Sequence, residues 1–426
     1  MKKYVIAICI LLLASFAFAG GEKIKSKEEG KVILKVALEE GRMADVGRFV
    51  ADIYQQSNPS VTIDVIGIPW DAQYEKLLTV LSSGAYTYDV IEFTPDWGAA
   101  FVKSGWLTPL DKWWDEADQY YKDFLLVDLL SKFEGAPPAL AGTYYGLPFN
   151  SDVKMLIYRK DLYEQYGLTE PKTWEDFVYN CKKLHDPAND FYGFGYPASG
   201  EETWTQVVVH LWAFGCTLFD DNLRPTFYSK KNLEAYDKLI KTAHSIGTPG
   251  MYETGYTEEN ELMASGKVAH IIQWMPAAVG TIEDPNSSKV SGKLGYAPVY
   301  GVGTRGTGWA VGIPNTSPNA EEAFKFIHFL CGAEMCKESL IRFTNSLVRK
   351  SMINDKELLD KFSWIPGDIK ALETAHEIPK IPEAWPIYEI IGEETIRALQ
   401  GSITPEQALK NIDSRVTKML TEAGYY

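Results

Sequence analysis

Apolar runs alternate with helical stripes along the first part of the chain. The segment KVILKVALEE is nearly continuous in apolar residues, which is typical of a strand covered on both faces of a parallel sheet. Residues 43–56 carry apolar side chains at helical spacing, and VTIDVIGI, DAQYEKLLTVLSSG and YDVIEF then follow as strand, helix and strand. This βαβαβ order predicts a parallel sheet with right-handed crossover connections.

A second α/β series begins at YYGLPFNSDVKMLIYR, where a strand-like pattern contains a polar interruption. Asn150, Ser151 and Asp152 predict a break between two strands, as expected where a chain passes between two lobes. A helix capped by Thr173 follows. Further helices at 201–214, 231–245 and 258–265, the strands KVAHIIQ and LGYAPVY, and a mostly helical C-terminal region predict a second α/β lobe.

The first nineteen residues predict export. Lys2 and Lys3 precede the apolar run YVIAICILLLASFAFA, which ends in the small-x-small pattern of a signal-peptidase site. The run is shorter than the ~20 residues of a spanning helix, and Cys9 lacks the preceding pattern of a lipid-anchor site. We expect residues 1–19 to be cleaved, leaving a periplasmic or extracellular protein.

Length, charge and cysteine content narrow the function classes. A chain of 426 residues exceeds one core of the usual size, which favours two domains. Its 42 basic and 57 acidic residues disfavour nucleic acid as a partner, because phosphate binding requires an excess of cations. The mature cysteines show no Cys-x-x-Cys pair. Buried free thiols are favoured, and a disulfide between Cys181 and Cys216 remains open.

Signatures of catalysis and of cofactor binding are missing from the sequence. It contains no Gly-x-Ser-x-Gly, His-Glu-x-x-His or phosphate-binding loop motif, and its six histidines lack metal-ligand spacing. The string GVGTRG at 301–306 resembles a dinucleotide fingerprint, but a strand-like TGWAVGIP follows instead of the required helix. We therefore expect no metal and no cofactor. Carboxylate pairs for glycoside hydrolysis remain possible among the many Asp and Glu residues.

Tryptophans stand at the ends of predicted elements instead of within apolar stripes. Trp97 lies just beyond the third strand, where α/β sheets bind ligands. Trp204 and Trp274 lie near element ends, while Trp309 and Trp385 adjoin Gly or Pro. Indole faces pack against the C–H faces of sugars, whose hydroxyls need directional polar partners. The set predicts a carbohydrate site, with ordinary core packing as the alternative for each residue.

Four segments in order carry a resemblance to a known family: YDVIEFTPDWGAAFVKSGWLTPLD, YYGLPFNSDVKMLIYRKDLYEQYGL with PKTWEDF, MASGKVAHIIQW, and GTGWAVGIPNTSPNAEEAFKFIHFL. The chain resembles the extracellular solute-binding proteins of bacterial ABC importers, in the sugar-binding group that includes maltose-binding protein. This resemblance implies an α/β, two-lobed type II periplasmic-binding fold with three crossovers and a cleft between the lobes. The implied N-lobe comprises residues 30–149 and 301–332, and the C-lobe residues 150–300 and 333–426.

The resemblance also implies ligand contacts by position. Phe93 falls where such proteins hold an N-lobe aromatic, Asp96 falls at a sugar-hydroxyl acceptor, and Asp152, with Asn150 beside it, falls at a hinge acid. Glu40 and Arg42 follow the first strand, where polar contacts usually lie.

Three departures from the maltose pattern leave the identity of the sugar open. Trp97 replaces a basic contact of maltose-binding protein, and Trp274 lies slightly before that protein's C-lobe stacking aromatic. Trp385 or Tyr388 takes the place of an aromatic pair near the end.

The expected function is therefore non-enzymatic capture of a mono- or oligosaccharide and its delivery to ABC permease subunits by a monomeric protein. Two alternatives remain. A secreted carbohydrate-active hydrolase or lyase would share the leader and the aromatic residues. The same fold could instead bind a phosphorylated polyol or a peptide.

Overall fold

The computed structural model describes residues 31–115, 118–133, 143–301, 305–376 and 379–426. The predicted signal peptide and residues 302–304 of the GVGTRG string lie outside these ranges. Among the described residues, no helix has the length and apolar character needed to cross a membrane.

The described elements alternate between strands and helices in the first half and are mainly helical in the last third. The strands are β1 Val32–Glu39, β2 Val61–Ile68, β3 Val90–Phe93, β4 Gly146–Arg159, β5 His270–Met275, β6 Leu294–Ala297 and β7 Gly306–Gly312. The helices are α1 Arg42–Ser57, α2 Trp70–Ser82, α3 Pro95–Lys103, α4 Gln119–Lys122, α5 Val127–Ser131, α6 Lys160–Tyr166, α7 Trp174–Leu184, α8 Glu201–Ala213, α9 Lys230–Ile246, α10 Tyr256–Ala264, α11 Val279–Ile282, α12 Ala320–Leu330, α13 Ala333–Phe343, α14 Lys356–Lys361, α15 Ile365–Leu372, α16 Ala384–Leu399 and α17 Pro405–Glu422.

One sheet connects the strands in the order β2-β1-β3-β7-β4-β5, and β6 also pairs with β4. Strand β1 lies parallel to β2 and β3, which confirms the predicted βαβαβ sheet. Strand β7 returns from late in the chain and pairs antiparallel with both β3 and β4. The late strand therefore joins the first sheet segment to the second.

Strand β4 is continuous, so the predicted break at Asn150–Asp152 is wrong. Asn150, Ser151 and Asp152 pair with residues 307–309 of β7, and the register shifts only between Pro148 and Asn150. A Cβ atom on Gly308 would lie 2.2 Å from the Asn150 carbonyl oxygen, so only glycine permits this close approach. The polar residues interrupt the apolar pattern without interrupting the ladder, because each of them has a register partner on β7.

The hydrophobic core divides into separate clusters along β4. One cluster surrounds β1–β3 and includes Phe149, β7 and helix α12. In the second half of β4, Leu156 joins a cluster with α8 and α16, whereas Met155 and Ile157 join another with α13 and α15. Alternate side chains of a strand point to opposite faces, so this half of β4 is covered on both sides.

The side-chain contacts bear on two local predictions, the Thr173 helix cap and the state of the cysteines. The Thr173 hydroxyl accepts a hydrogen bond from the Asp176 backbone N–H, and the Asp176 carboxylate accepts one from the Thr173 backbone N–H, which confirms the cap of α7. The four described cysteines are buried free thiols, and Cys181 is not joined to Cys216.

A buried arginine fixes the chain near α12 and α13. The Arg349 Nε donates to the Cys331 carbonyl at 3.0 Å, at the C-terminal end of α12. Its guanidinium lies 3.5 Å from the ring centroid of Phe124 and 4.3 Å from that of Tyr120. A cation at a helix C-terminus is favourable, so Arg349 ties this connection to the segment that contains α4.

Candidate functional site

Aromatic rings from four different elements converge where β3 and β7 meet the helices beyond them. Trp97 at the start of α3 stacks on Trp70 of α2 with a centroid distance of 5.2 Å and an interplanar angle of 19°. Trp309 of β7 and Trp385 of α16 meet Trp97 edge to face at 5.5 and 5.9 Å. These four residues and Tyr74, which is 5.7 Å from Trp385, are called the tryptophan cluster below. The tryptophan cluster joins the hydrophobic cluster around β1–β3, called the first core below, to α16. Helix α16 belongs to the hydrophobic cluster with Leu156 and α8, called the second core.

A direct hydrogen bond links the two cores beside the tryptophan cluster. The Tyr388 hydroxyl on α16 donates to Asp96 Oδ1 on α3 at 2.5 Å, and Arg305 Nη2 donates to Asp96 Oδ2 at 2.6 Å. Arg305 and Tyr388 are nearly inaccessible to solvent. Asp96 is therefore held between one residue next to β7 and one residue of the second core.

The guanidinium of Arg305 lies in a cage of three aromatic rings. It is 4.5 Å from the ring centroid of Trp204, 5.1 Å from that of Trp274 and 5.2 Å from that of Tyr388. Trp204 stacks on Tyr388 at 3.8 Å with an angle of 6°. Cations are attracted to ring faces at these distances, so Arg305 and Trp204 stabilise one another across the gap between β7 and α8.

A buried ion pair lies beneath the aromatic cage. Lys154 Nζ on β4 donates to Glu202 Oε2 at 2.5 Å and to Gln273 Oε1 at 2.9 Å. The other oxygen of Glu202 accepts the indole N–H of Trp274 at 3.1 Å. The lysine side chain is fully buried and that of Glu202 is 4% exposed. The pair therefore determines the orientation of the Trp274 ring.

Three carboxyl groups surround Arg42 at the C-terminal ends of β1 and β3. The Glu39 backbone N–H donates to Glu92 at 2.7 Å, and Arg42 lies 3.9 Å from Asp152 while donating to the Thr344 carbonyl at 3.0 Å. Burial raises the pKa of Glu39 to about 7, that of Asp152 to about 6 and that of Glu92 well above its ordinary value. The positive charge of Arg42 lowers each of these pKa values, but this one cation is shared by three acids.

A groove of about 890 Å³ opens between the start of α8 and one side of α16. Its lining is mixed aromatic and charged. It consists of Gly200, Glu201, Thr203, Trp204, Trp385, Glu389, Gly392, Glu393, Glu394, Ile396, Arg397 and Arg415. The volume lies within the range of small-molecule sites. Two tryptophans predicted from the sequence thus share one cavity, called the α8–α16 groove below.

The structure brings most of the predicted site residues into one region. One set forms the aromatic part of the site with its hydrogen-bonded acid: Asp96, Trp97, Trp204, Trp274, Trp309, Trp385 and Tyr388. The other set is Asp152 with Arg42 and Asn150, which lie beside its carboxyl group. Asn150 Nδ2 donates to Asp152 Oδ2 at 2.9 Å, which orients the predicted hinge acid.

Two predicted residues lie apart from this region. Phe93 is fully buried in the first core and packs against Phe133 at 6.0 Å, so its ring face is not open to a ligand. Glu40 is exposed and pairs with Arg48 at 3.2 Å. Phe93 is the last residue of β3 and Glu40 directly follows β1, and at a strand end a single residue of displacement decides whether a side chain faces the cleft, the core or solvent.

The sequence reasoning missed several polar members of the site. Lys154 is hidden inside the apolar strand VKMLIYR, and its partner Glu202 lies 48 positions away in the chain. Arg305 belongs to the glycine-rich string that resembled a nucleotide motif. Glu39 and Glu92 end two strands, and polar residues at the ends of adjacent parallel strands were the signal that would have revealed them.

Comparison with known proteins gives the family. The model of the bacterial extracellular solute-binding protein family matches residues 26–335. The chain belongs to this family.

Two relatives and one solved structure illustrate the range of this family. A probable amino-acid ABC transporter periplasmic-binding protein of Sinorhizobium fredii is 24% identical over 385 residues, covering 86% of this chain and 84% of its own. A mannitol-binding protein of Pseudomonas aeruginosa is 24% identical over 406 residues, with 88% and 90% covered. An ABC transporter solute-binding protein of Agrobacterium radiobacter in complex with ribitol has a TM-score of 0.81 and 24% identity, with 91% and 98% covered.

Membership and structural likeness confirm the predicted two-lobed periplasmic-binding fold of the solute-binding protein. The family consists of extracellular binding components of transporters, and its members deliver solutes to membrane permeases. Among the described residues of this solute-binding protein, no group of three or more His, Cys, Asp or Glu side chains has a metal-binding arrangement.

Proposed function

We propose that this solute-binding protein captures a sugar or polyol between its lobes and releases it unchanged to a permease. The observation that carries the proposal is the convergence of the tryptophan cluster with Asp96, Arg305 and Tyr388, because indole faces and directional polar groups together match a polyhydroxylated ligand. The mannitol-binding relative and the ribitol-bound structure support this ligand class.

The alternatives from the sequence fit the site less well. A phosphorylated polyol would bring negative charge to a region where Glu39, Glu92 and Asp152 already share one arginine. A hydrolase or lyase would need a carboxyl pair facing an open bond-cleavage position. The buried acids here instead hold protein groups, since Asp96 binds Arg305 and Glu202 binds Lys154. Binding without catalysis is the simpler function.

Entry of a ligand requires the lobes to separate. Asp96, Tyr388 and the tryptophan cluster make direct contacts across the two cores, and these contacts occupy the space that a stacked sugar ring would need. We propose lobes of 30–149 with 301–332 and of 150–300 with 333–426, which rotate about the chain crossings near Asn150–Asp152, Tyr300 and Gly332. The division of the hydrophobic core along β4 supports these boundaries.

The ligand class is tested by thermal unfolding with a panel of sugars, polyols and amino acids. A cognate sugar or polyol at a hundredfold excess over Kd should raise the free energy of unfolding by about 2.7 kcal/mol, because it has no site in the unfolded chain. Mass spectrometry should recover that ligand chemically unchanged. Stabilisation by amino acids alone, or cleavage of the added glycan, would refute the proposal.

Closure is measured in the same titration by small-angle scattering. The radius of gyration should fall as the cognate ligand saturates the protein, because the ligand enters the open form and the lobes then rotate together around it. A radius that does not change while the melting curve shifts would contradict lobe closure, although binding itself would stand.

The proposed setting is the periplasm or the extracellular side of the membrane. Cleavage after Ala19 would release a monomer that starts at Gly20. N-terminal sequencing and the solution mass of protein expressed with its leader check both points, and an uncleaved chain or a stable dimer would contradict them.

A further inference from the structure

Four glutamates and two arginines line the α8–α16 groove, so its lining has an excess of negative charge. Arg415 binds Glu393 at 2.7 Å and Glu394 at 2.9 Å, and Arg397 binds Glu394 at 2.9 Å. Both arginines of the groove are therefore engaged by these two acids. Glu201 and Glu389, the remaining acids of the lining, form no ion pair in the part of the chain that the structure describes.

The nearest cations to Glu201 are already committed to other acids. Arg305 is paired with Asp96 at 2.6 Å, and Lys154 is paired with Glu202 at 2.5 Å. Burial and the neighbouring Glu202 raise the pKa of Glu201 to about 8. The charged and titratable groups around it are Glu202 on the same helix, Lys154 on β4, Arg305 before β7, Asp96 on α3, and Tyr388 and Glu389 on α16.

An acidic residue in the first turn of a helix is common, because the helix dipole favours it there. A second feature separates Glu201 from that ordinary case. Thr203 lines the same groove, is 1% exposed, and its Oγ1 has no hydrogen-bond partner among the described residues. A buried hydroxyl without a partner is unfavourable, and a polar ligand group in the groove would satisfy it.

The aromatic surface beside Glu201 is suited to a cation. Trp204 and Trp385 line the groove, and the Arg305 guanidinium lies 4.5 Å from the ring centroid of Trp204. Indole is the aromatic group with the strongest attraction for cations. An ammonium group also supplies three hydrogen-bond donors and the positive charge that a neutral hydroxyl lacks.

We propose that the solute carries a protonated amine, as an amino sugar or amino polyol does, and that Glu201 receives this amine in the α8–α16 groove beside Trp385. The inference rests on the proposed function, which it narrows from sugars and polyols in general to their amino derivatives. The carboxylate accepts the N–H donors, and Thr203 Oγ1 accepts a further hydrogen bond from the same end of the ligand.

Calorimetric titration with matched probes tests the inference. The pairs are glucitol with N-methylglucamine, glucose with glucosamine, and cellobiose with the β-1,4-linked glucosamine disaccharide, and N-acetylglucosamine is the uncharged analogue. The amine of at least one pair should bind tenfold or more tightly than its neutral partner at pH 8. For N-methylglucamine, whose amine stays protonated over this range, affinity should rise roughly tenfold between pH 6 and 7 and level off near pH 8, because the carboxyl must ionise, whereas neutral-ligand affinity should stay constant.

Proton release identifies the residue. Titrations at pH 7 in buffers of different ionisation enthalpy should show release of up to one proton per bound amine and none for the neutral partner. Glu201→Gln should abolish the proton release and bring the affinity for the amine to that for its neutral partner. Glu261→Gln removes an exposed carboxyl on α10 and should preserve every effect. A Glu201→Gln variant that retains the preference would refute the assignment.

The outcomes separate this inference from the proposed function. Equal affinity for the members of every pair that binds would overturn the amine inference and leave sugar or polyol binding intact. Failure of every sugar and polyol, charged or neutral, would overturn the proposed function and the inference together.

Discussion

Replacing Lys154 by methionine should lower the free energy of unfolding by about 3–5 kcal/mol, the usual cost of removing one partner from a buried ion pair. Lys154 has no exposed side-chain surface, and Glu202, which is 4% exposed, would lose the cation with which it forms its ion pair among the described residues. Methionine retains most of the apolar stem, so the loss reports the uncompensated carboxylate instead of a cavity. Denaturant unfolding monitored by circular dichroism provides the measurement.

The structure offers a matched control and a rescue for this prediction. Lys238 forms an ion pair with Glu175 at 3.1 Å, but both side chains are about half exposed or more, so Lys238→Met should cost no more than ~1 kcal/mol. Adding Glu202→Gln to Lys154→Met should restore part of the lost stability, because the buried charge is removed. Equal effects of the two lysine substitutions would show that the buried pair has no special role.

The parts of the fold that depend on local pattern were predictable. Strand β3 and residues 36–38 of β1 are buried on both faces, so their apolar runs stand out in the sequence, and the Thr173 cap depends only on residues within one turn. The continuity of β4 was not predictable in this way. Its polar residues 150–152 pair with a strand more than 150 positions later, and only that distant partner reveals that the ladder continues.

The site was predictable in its aromatic part and much less in its charged part. Tryptophans at element ends are conspicuous, and those selected do converge around Trp97 and Trp204. A charged residue is held in the site by the residue with which it pairs, and that partner can be far away in the sequence. Arg305 acquires its position from Asp96, which is 209 positions away, and from rings on three separate elements. The spacing of residues along the sequence does not show such contacts.

For substitution of Trp97, the sequence and the structure lead to different expected effects on folding and binding. A ligand platform beyond the end of a strand could be truncated to alanine with the protein still folded, and binding would weaken by roughly 1–3 kcal/mol. In the structure Trp97 is 1% exposed, stacks on Trp70 and contacts Trp309 edge to face. The residue therefore belongs to the first core as much as to the cleft.

Trp97→Ala should accordingly reduce the free energy of unfolding by about 3–5 kcal/mol, because the cavity would be enclosed by the four other aromatic rings of the tryptophan cluster, which cannot collapse into it. Trp97→Phe should cost less, since it keeps a ring in the stack and removes an indole N–H that has no partner among the described residues. Trp385 is the contrast: it is only partly buried and lines the α8–α16 groove, so Trp385→Ala should weaken ligand binding with a smaller loss of stability. Parallel denaturant and ligand titrations of the three variants distinguish these effects. If Trp97→Ala unfolds within ~1 kcal/mol of the parent but loses affinity, its main role is in the cleft, and packing of the tryptophan cluster is secondary to the ligand that it receives.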